Sequence, residues 1–292
     1  MQQHNSICNF GSSESWVILS PIEQSIKRKI EAVGTPLKDW DIKINYGIKT
    51  GFNDAFIIST AKRNEILENC KDADERKRTA ELIRPILRGR DIKRYGYDWA
   101  NFYLINTHNG VKEKNIPRID VEKDYPAIKQ HLDEYWNKLS NRADQGDTPY
   151  NLRNCAYLDD FNKPKIIYPN MTKYLPFVYD DNGFVTNQKC FFITGERIAY
   201  LTAFLNSSLF KYCFRESFPE LQGGTREMSK IFFDKIPVMK VDSAVDNKFR
   251  MFVDDIQKDY TKEKAIKIDS MIFDLYNLSA NEKEKIGFIE IQ

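Results

Sequence analysis

The stretch "KPKIIYPNMTKYLPFVYDDNGFVTNQKCFFIT", residues 163–194, decides the fold class. It holds three short runs of β-branched and aromatic residues, "KPKIIYP", "PFVYDDNGFVT" and "KCFFIT", separated by Pro, Asn and Gly. The Asp-Asn-Gly triplet within it reads as a hairpin turn. Gly195-Glu196 then leads into "RIAYLTAFLNSSLFKYCF", which is apolar on most sides and reads as a buried core helix. Asn206-Ser207-Ser208 interrupts that helix, a pattern suited to satisfying backbone groups at a kink.

Downstream, Val245, Phe249, Phe252, Ile256 and Tyr260 form one helical stripe, and Ala265, Ile268, Ile272, Leu275 and Tyr276 form another. Upstream, "SPIEQSIKRKIEAVG" places Ser20 as an N-cap and Pro21 at the first helical position, with Gly34 as the stop. Helical sequence is expected over 62–82 and at the spacing of Tyr125, Ile128, Leu132 and Leu139, with strand at 101–105 and loop in "ADQGDTPYN". The expected fold is α+β: a mixed or antiparallel curved sheet with packed helices over residues 1–240, then a helical tail over 241–292. That tail is expected to dock on the body or on a further domain.

Composition narrows the function. The 292 residues are 41% hydrophobic and 13% aromatic, enough for a sizeable core. No run of about twenty apolar residues occurs, and the first thirty lack the apolar block of a secretion signal, so a cytoplasmic protein without a membrane span is expected. Five scattered cysteines, Cys8, Cys70, Cys155, Cys190 and Cys213, argue against a disulfide framework or a paired-cysteine zinc site. His4, His108 and His131 show no metal-ligand spacing, and the Asn109-Gly110 turn marks His108 as a loop residue. No GxSxG elbow and no GxGxxG after a strand is present, so the sequence offers no catalytic constellation.

Charge distribution says more than total charge. Residues 241–292 carry eight basic and eleven acidic side chains; with +2 overall, residues 1–240 carry +5. "RPILRGRDIKR", residues 84–94, concentrates Arg84, Arg88, Arg90, Lys93 and Arg94 against Asp91 alone, a pattern that attracts phosphates. In "INYGIKTGFNDAFII", residues 44–58, a turn between two strands carries Gly47 and Gly51 with Lys49, Thr50 and Asn53. Its glycines permit positive φ or a close approach, and its polar residues offer donors to phosphates or base edges. Lys49 and Thr50 precede Gly51, so this is not a nucleotide-triphosphate loop.

Taken in order, these blocks resemble the TaqI-like C-terminal specificity domain, the target-recognition module of type II restriction and modification enzymes that methylate adenine. The similarity rests on "GTPLKDWDIKINYGIKTGFNDAFII" (34–58), "LIRPILRGRDIKRY" (82–95), "FNKPKIIYPNMT" (161–172), "YLTAFLNSSLFKY" (200–212), "LQGGTREMSKIFFDKIPV" (221–238) and "IDSMIFDLYNLS" (268–279). It implies that this chain reads double-stranded DNA, while a methyltransferase domain or subunit, in cis or in trans, binds S-adenosylmethionine and flips the adenine. The chain has no Asn-Pro-Pro-Tyr tetrapeptide and no glycine-rich methyl-donor loop, so it is expected to be non-catalytic and cofactor-free, as a fragment of a larger enzyme or a separate subunit. Lys49, Thr50, Asn53, Arg88, Arg90, Lys93 and Arg94 are then candidates for DNA contact, largely with phosphate. Asn170, Lys173, Asn187, Gln188, Thr225 and Arg226 are candidates near the bases, because Arg reads guanine and Asn or Gln reads adenine. The competing reading is a protein-interaction scaffold that uses an aromatic-rich surface around "FRESFPELQGG", residues 214–224.

Overall fold

The computed structural model describes residues 19–290; His4 and Cys8 lie outside them. The principal strands are β1 (Ile42–Tyr46), β2 (Ile57–Ser59), β3 (Ile83–Leu87), β4 (Phe102–Ile105), β5 (Lys165–Pro169), β6 (Val178–Asp180), β7 (Val185–Thr186) and β8 (Cys190–Gly195). The principal helices are α1 (Pro21–Val33), α2 (Thr60–Glu68), α3 (Ala73–Leu82), α4 (Pro126–Asp133), α5 (Ile198–Asn206), α6 (Ser208–Phe214), α7 (Ser243–Lys258), α8 (Lys262–Leu275) and α9 (Ala280–Ile286). The fold is α+β. One four-stranded sheet runs β6-β5-β8-β1 and is antiparallel throughout. A second runs β7-β3-β4-β2 and is mixed, because β7 joins β3 in parallel.

The first sheet is a wall between two apolar cores. Ile166 and Tyr168 of β5 face the core shared with α1, α5, α6 and the C-terminal helices, whereas Ile167 between them faces the core under the second sheet. The period of two thus serves both sides, and every residue of β5 is buried. Phe249, Val253 and Ile256 of α7 and Ala265, Ile268 and Ile272 of α8 enter the first core beside Ile26 and Phe204. Apolar packing therefore runs continuously across residue 240, with the tail folded onto the body.

The N-terminal helix starts as its sequence dictates, with a Ser20–Glu23 capping box and Pro21 in the first turn. Several expected elements are broken instead of continuous. Helix 62–82 is two helices, because Asp72 caps a new start by accepting from the Glu75 N–H at 2.7 Å. The segment after Tyr125 breaks at Asp133, and Trp136–Leu139 forms a separate short turn. Ser207 divides α5 from α6 as the N-cap of the latter. At this break the Asn206 amide pairs with both backbone groups of Phe177, at 3.1 and 2.8 Å, so the polar interruption does satisfy backbone groups.

The Asp-Asn-Gly turn does not close a hairpin. β6 pairs with β5 in one sheet, and β7 crosses to pair with β3 in the other. Asp180 holds the crossing: its carboxylate accepts from the Asn182 and Phe184 N–H groups and lies 2.6 Å from Lys165 Nζ, with both charged side chains fully buried. The segment from β1 to β2 makes the same kind of transfer between sheets, through one helical turn at Asn53–Phe56. Gly47 is needed there for close approach, since a Cβ would stand 2.1 Å from the Asn187 carbonyl oxygen, and Gly51 for its φ of +68°.

Candidate nucleic-acid interface

Where the two sheets meet, a cleft of about 950 Å³ opens to solvent between the 88–93 segment and the loop that follows β5. Its lining gathers, from four separate stretches of sequence, seven of the nominated residues: Asn53, Arg88, Arg90, Lys93, Asn170, Lys173 and Asn187. Lys189 lines it too, and Asp54 is the one acidic side chain among the lining residues. The exposed cations thus share the cleft with three side-chain amides, of which Asn53 is exposed, Asn170 half-buried and Asn187 buried. Met171 and Tyr174 stand at the same edge, 49% and 46% exposed.

Each wall is built by backbone pairing. Asn170 follows the last residue of β5, and its N–H donates to the Lys189 carbonyl at 2.8 Å while its carbonyl accepts from the Met228 N–H at 2.7 Å. Beyond it, Met171–Thr172 pairs antiparallel with Arg226–Glu227. Leu175, with φ of +51°, turns the loop back to the core, where its carbonyl accepts from the buried Lys211 ammonium. Burial drives that lysine well below its usual pKa, and the neighbouring Arg94 cation adds to the effect. Opposite, Gly89 packs against Pro169, which brings the Arg90 loop beside Asn170.

The basic residues divide into exposed and engaged groups. Arg90, Lys173 and Lys189 are exposed and have no carboxylate within ion-pair distance among the described residues; Lys93 is exposed with Asp98 at 3.7 Å. Arg88 lines the cleft, but its guanidinium binds both oxygens of Asp91, at 3.0 and 2.9 Å, and lies 4.4 Å over the Phe102 ring. Only part of its donor capacity remains for an anion.

Other nominations stand elsewhere. Arg94 is interior: it donates to the carbonyls of Asn206 and Ile289, and its guanidinium lies 3.7 Å from Asp269. It ties the body to the tail, which leaves it no reach to a phosphate. Arg226 is likewise buried, held by the Phe218 carbonyl and the carboxylates of Glu216 and Glu220. It is not free to read a guanine, as its place among the candidates near the bases required, because this guanidinium already has three partners. Thr50 is buried; its hydroxyl donates to Asn53 Oδ1 at 2.6 Å and its carbonyl accepts from Arg142, so it braces the turn from behind. Lys49, Gln188 and Thr225 do not line the cleft; the Lys49 ammonium sits 5.6 Å over the Tyr46 ring, and the Thr225 carbonyl accepts from the Leu221 N–H.

Lys189 was missed in the sequence, although the Asn187-Gln188 pair beside it was singled out. The aromatic surface proposed for "FRESFPELQGG" does not form: Phe218 is fully buried, Phe214 is half-buried and Leu221 is the exposed apolar residue. His131 is a core residue whose Nε2 meets the Ala55 carbonyl at 2.9 Å, and burial lowers the pKa of both His131 and His108. Among the described residues no cluster of three or more His, Cys, Asp or Glu could hold a metal ion, and no helix is long and apolar enough to cross a membrane.

The chain belongs to the TaqI-like C-terminal specificity domain family, whose model matches residues 84–238. Among solved structures it is similar to the type IIG restriction endonuclease BpuSI, at 14% identity and a TM-score of 0.56, over 91% of this chain and 31% of that one. It is also similar to the type IIL restriction-modification enzyme MmeI, solved in complex with DNA, at 9% identity and a TM-score of 0.57, over 84% and 34% respectively. The chain spans about a third of the length of each enzyme.

Proposed function

We propose that the chain is the double-stranded DNA target-recognition module of a restriction-modification enzyme that methylates adenine. The cleft carries this reading: exposed Arg90, Lys93, Lys173 and Lys189 surround Asn53, Asn170 and Asn187. Cations at a rim hold phosphates and fix register, while amides inside a cleft meet base edges, which is the division of labour that sequence reading requires. In this reading the chain performs no chemical step. Methyl transfer from S-adenosylmethionine, and any cleavage, belong to a methyltransferase part in cis or in trans, acting on DNA in the cytoplasm. The test is titration of a labelled duplex with the chain at several salt concentrations. Affinity should fall linearly in log–log form, with a slope of about −0.9 for each phosphate that the chain neutralises. A chain that binds no duplex at low salt overturns autonomous DNA recognition.

A further inference from the structure

The three amides of the cleft are not equivalent. Asn53 Oδ1 accepts from the Thr50 hydroxyl at 2.6 Å, and Asn187 Oδ1 accepts from the Lys189 N–H at 3.1 Å. Each therefore has one of the two lone pairs of its oxygen already engaged within the chain. Asn170 differs: among the described residues neither end of its amide has a hydrogen-bond partner, and its Oδ1 is shielded from solvent without a donor. Of the ten shielded and unpaired side-chain atoms among the described residues, it is the one that belongs to the lining of the cleft. Both main-chain groups of Asn170 are paired, to Lys189 and Met228. The backbone that carries the side chain is thus fixed at one point of the cleft, beside the Arg90 loop and next to exposed Lys173, while the hydrogen-bonding capacity of the carboxamide is unused.

We infer that Asn170 is the specificity-determining amide of the domain, and that it reads adenine in the major groove. An unengaged carboxamide offers one acceptor and one donor side by side, which match the N6 amino group and N7 of adenine. Oδ1 is shielded in the free chain, so the contact requires the carboxamide to turn about its Cα–Cβ and Cβ–Cγ bonds until both ends face the open cleft. Asn53 and Asn187, each with one oxygen lone pair already held within the chain, have less of their amide free for such a two-point contact. The assignment rests on the DNA-recognition reading above and goes further by naming the residue and the base.

The experiment is selection of the 292-residue chain on a randomised duplex pool, with sequencing of the bound fraction, for the wild type, Asn170→Asp and Asn170→Ala. The wild type should enrich a motif with adenine at a position where Asn170→Ala loses roughly 5- to 150-fold preference, the other positions keeping theirs. Asn170→Asp, which can only accept, should move that same position towards cytosine, whose N4 amino group donates. Urea unfolding of each variant checks that the fold survives, and a change seen in either folded variant is sufficient. A wild-type motif that both variants leave unaltered overturns the role of Asn170 alone. A wild type that enriches no motif overturns sequence recognition itself, and the role of Asn170 with it.

Discussion

Asp180→Asn tests how the chain is carried from one sheet to the other. The substitution keeps side-chain volume but removes the charge that faces Lys165 at 2.6 Å in a site where both side chains are fully buried. Lys165 is left with the Phe161 carbonyl at 2.8 Å as its remaining partner. Burial already pulls the Lys165 pKa below its usual value, and Asp180 is the main group opposing that. Breaking one side of such a pair costs about 3–5 kcal/mol, because it strands a buried charge. A second contribution comes from the Asn182 and Phe184 N–H groups: an amide oxygen can serve one of them, whereas the carboxylate serves both. Taking about 4 kcal/mol, and roughly 0.6 kcal/mol/K for the unfolding entropy of a chain this long, the midpoint of thermal unfolding should drop by about 6–7 °C. Urea unfolding followed by circular dichroism measures the free energy directly. Adding Lys165→Met to Asp180→Asn should recover about 2 kcal/mol, since the stranded charge is then gone while the turn still lacks an acceptor. An Asp180→Asn chain within about 1 kcal/mol of wild type would refute the claim that this pair holds the crossing.

Further expectations concern the charged groups of the cleft and the tail. Arg226→Ala should lower stability by about 1–3 kcal/mol, chiefly by orphaning the Phe218 carbonyl since both carboxylates are exposed to water, yet leave the selected DNA sequence unchanged; chemical unfolding and pool selection read the two effects separately. Arg90→Ala and Lys173→Ala should each reduce the salt slope by about one unit with stability within about 0.5 kcal/mol of wild type, while Arg88→Ala, whose guanidinium is spent on Asp91, should change the slope less. Burial opposes the charge on Glu282, but Lys29, Ser25 and Ser279 outweigh it and hold the carboxyl at about 2, against 4.5 unperturbed. Its folded value is depressed, so its contribution, on the order of 2 kcal/mol, is present above pH 4.5 and lost as pH falls towards 2. Glu282→Gln should flatten that part of the stability–pH profile, measured by thermal melts from pH 6 to about 2.

The parts of the fold that were legible are those set by local pattern. The three strand runs between Lys165 and Gly195, the Ser20 cap and the two C-terminal stripes all follow from side-chain spacing. The hairpin expected at Asp-Asn-Gly failed because a turn signal fixes a change of direction, whereas the partner strands are distant in sequence: β6 pairs with β5, where Lys165 meets Asp180 from fifteen residues earlier, and β7 pairs with β3. The same limit governs the site. A basic run advertises charge but not its neutralisation: Arg94 is claimed by carbonyls 112 and 195 residues away, and Arg226 by carboxylates on the preceding loop. Asn170 was nominated for its type, yet what distinguishes it from Asn53 and Asn187 is which hydrogen bonds are already made. The signal for Asp72 was present, since an Asp three residues before a Glu marks a helix start.

The location of the interface is the central claim, and amide hydrogen exchange of the whole chain, with and without a saturating duplex at low salt, tests it most directly. New protection is expected in segments 88–94, 169–174 and 187–189, which build the cleft, with α7, α8 and α9 unchanged. Protection confined to the C-terminal helices, with the cleft segments exchanging as in the free chain, would contradict it.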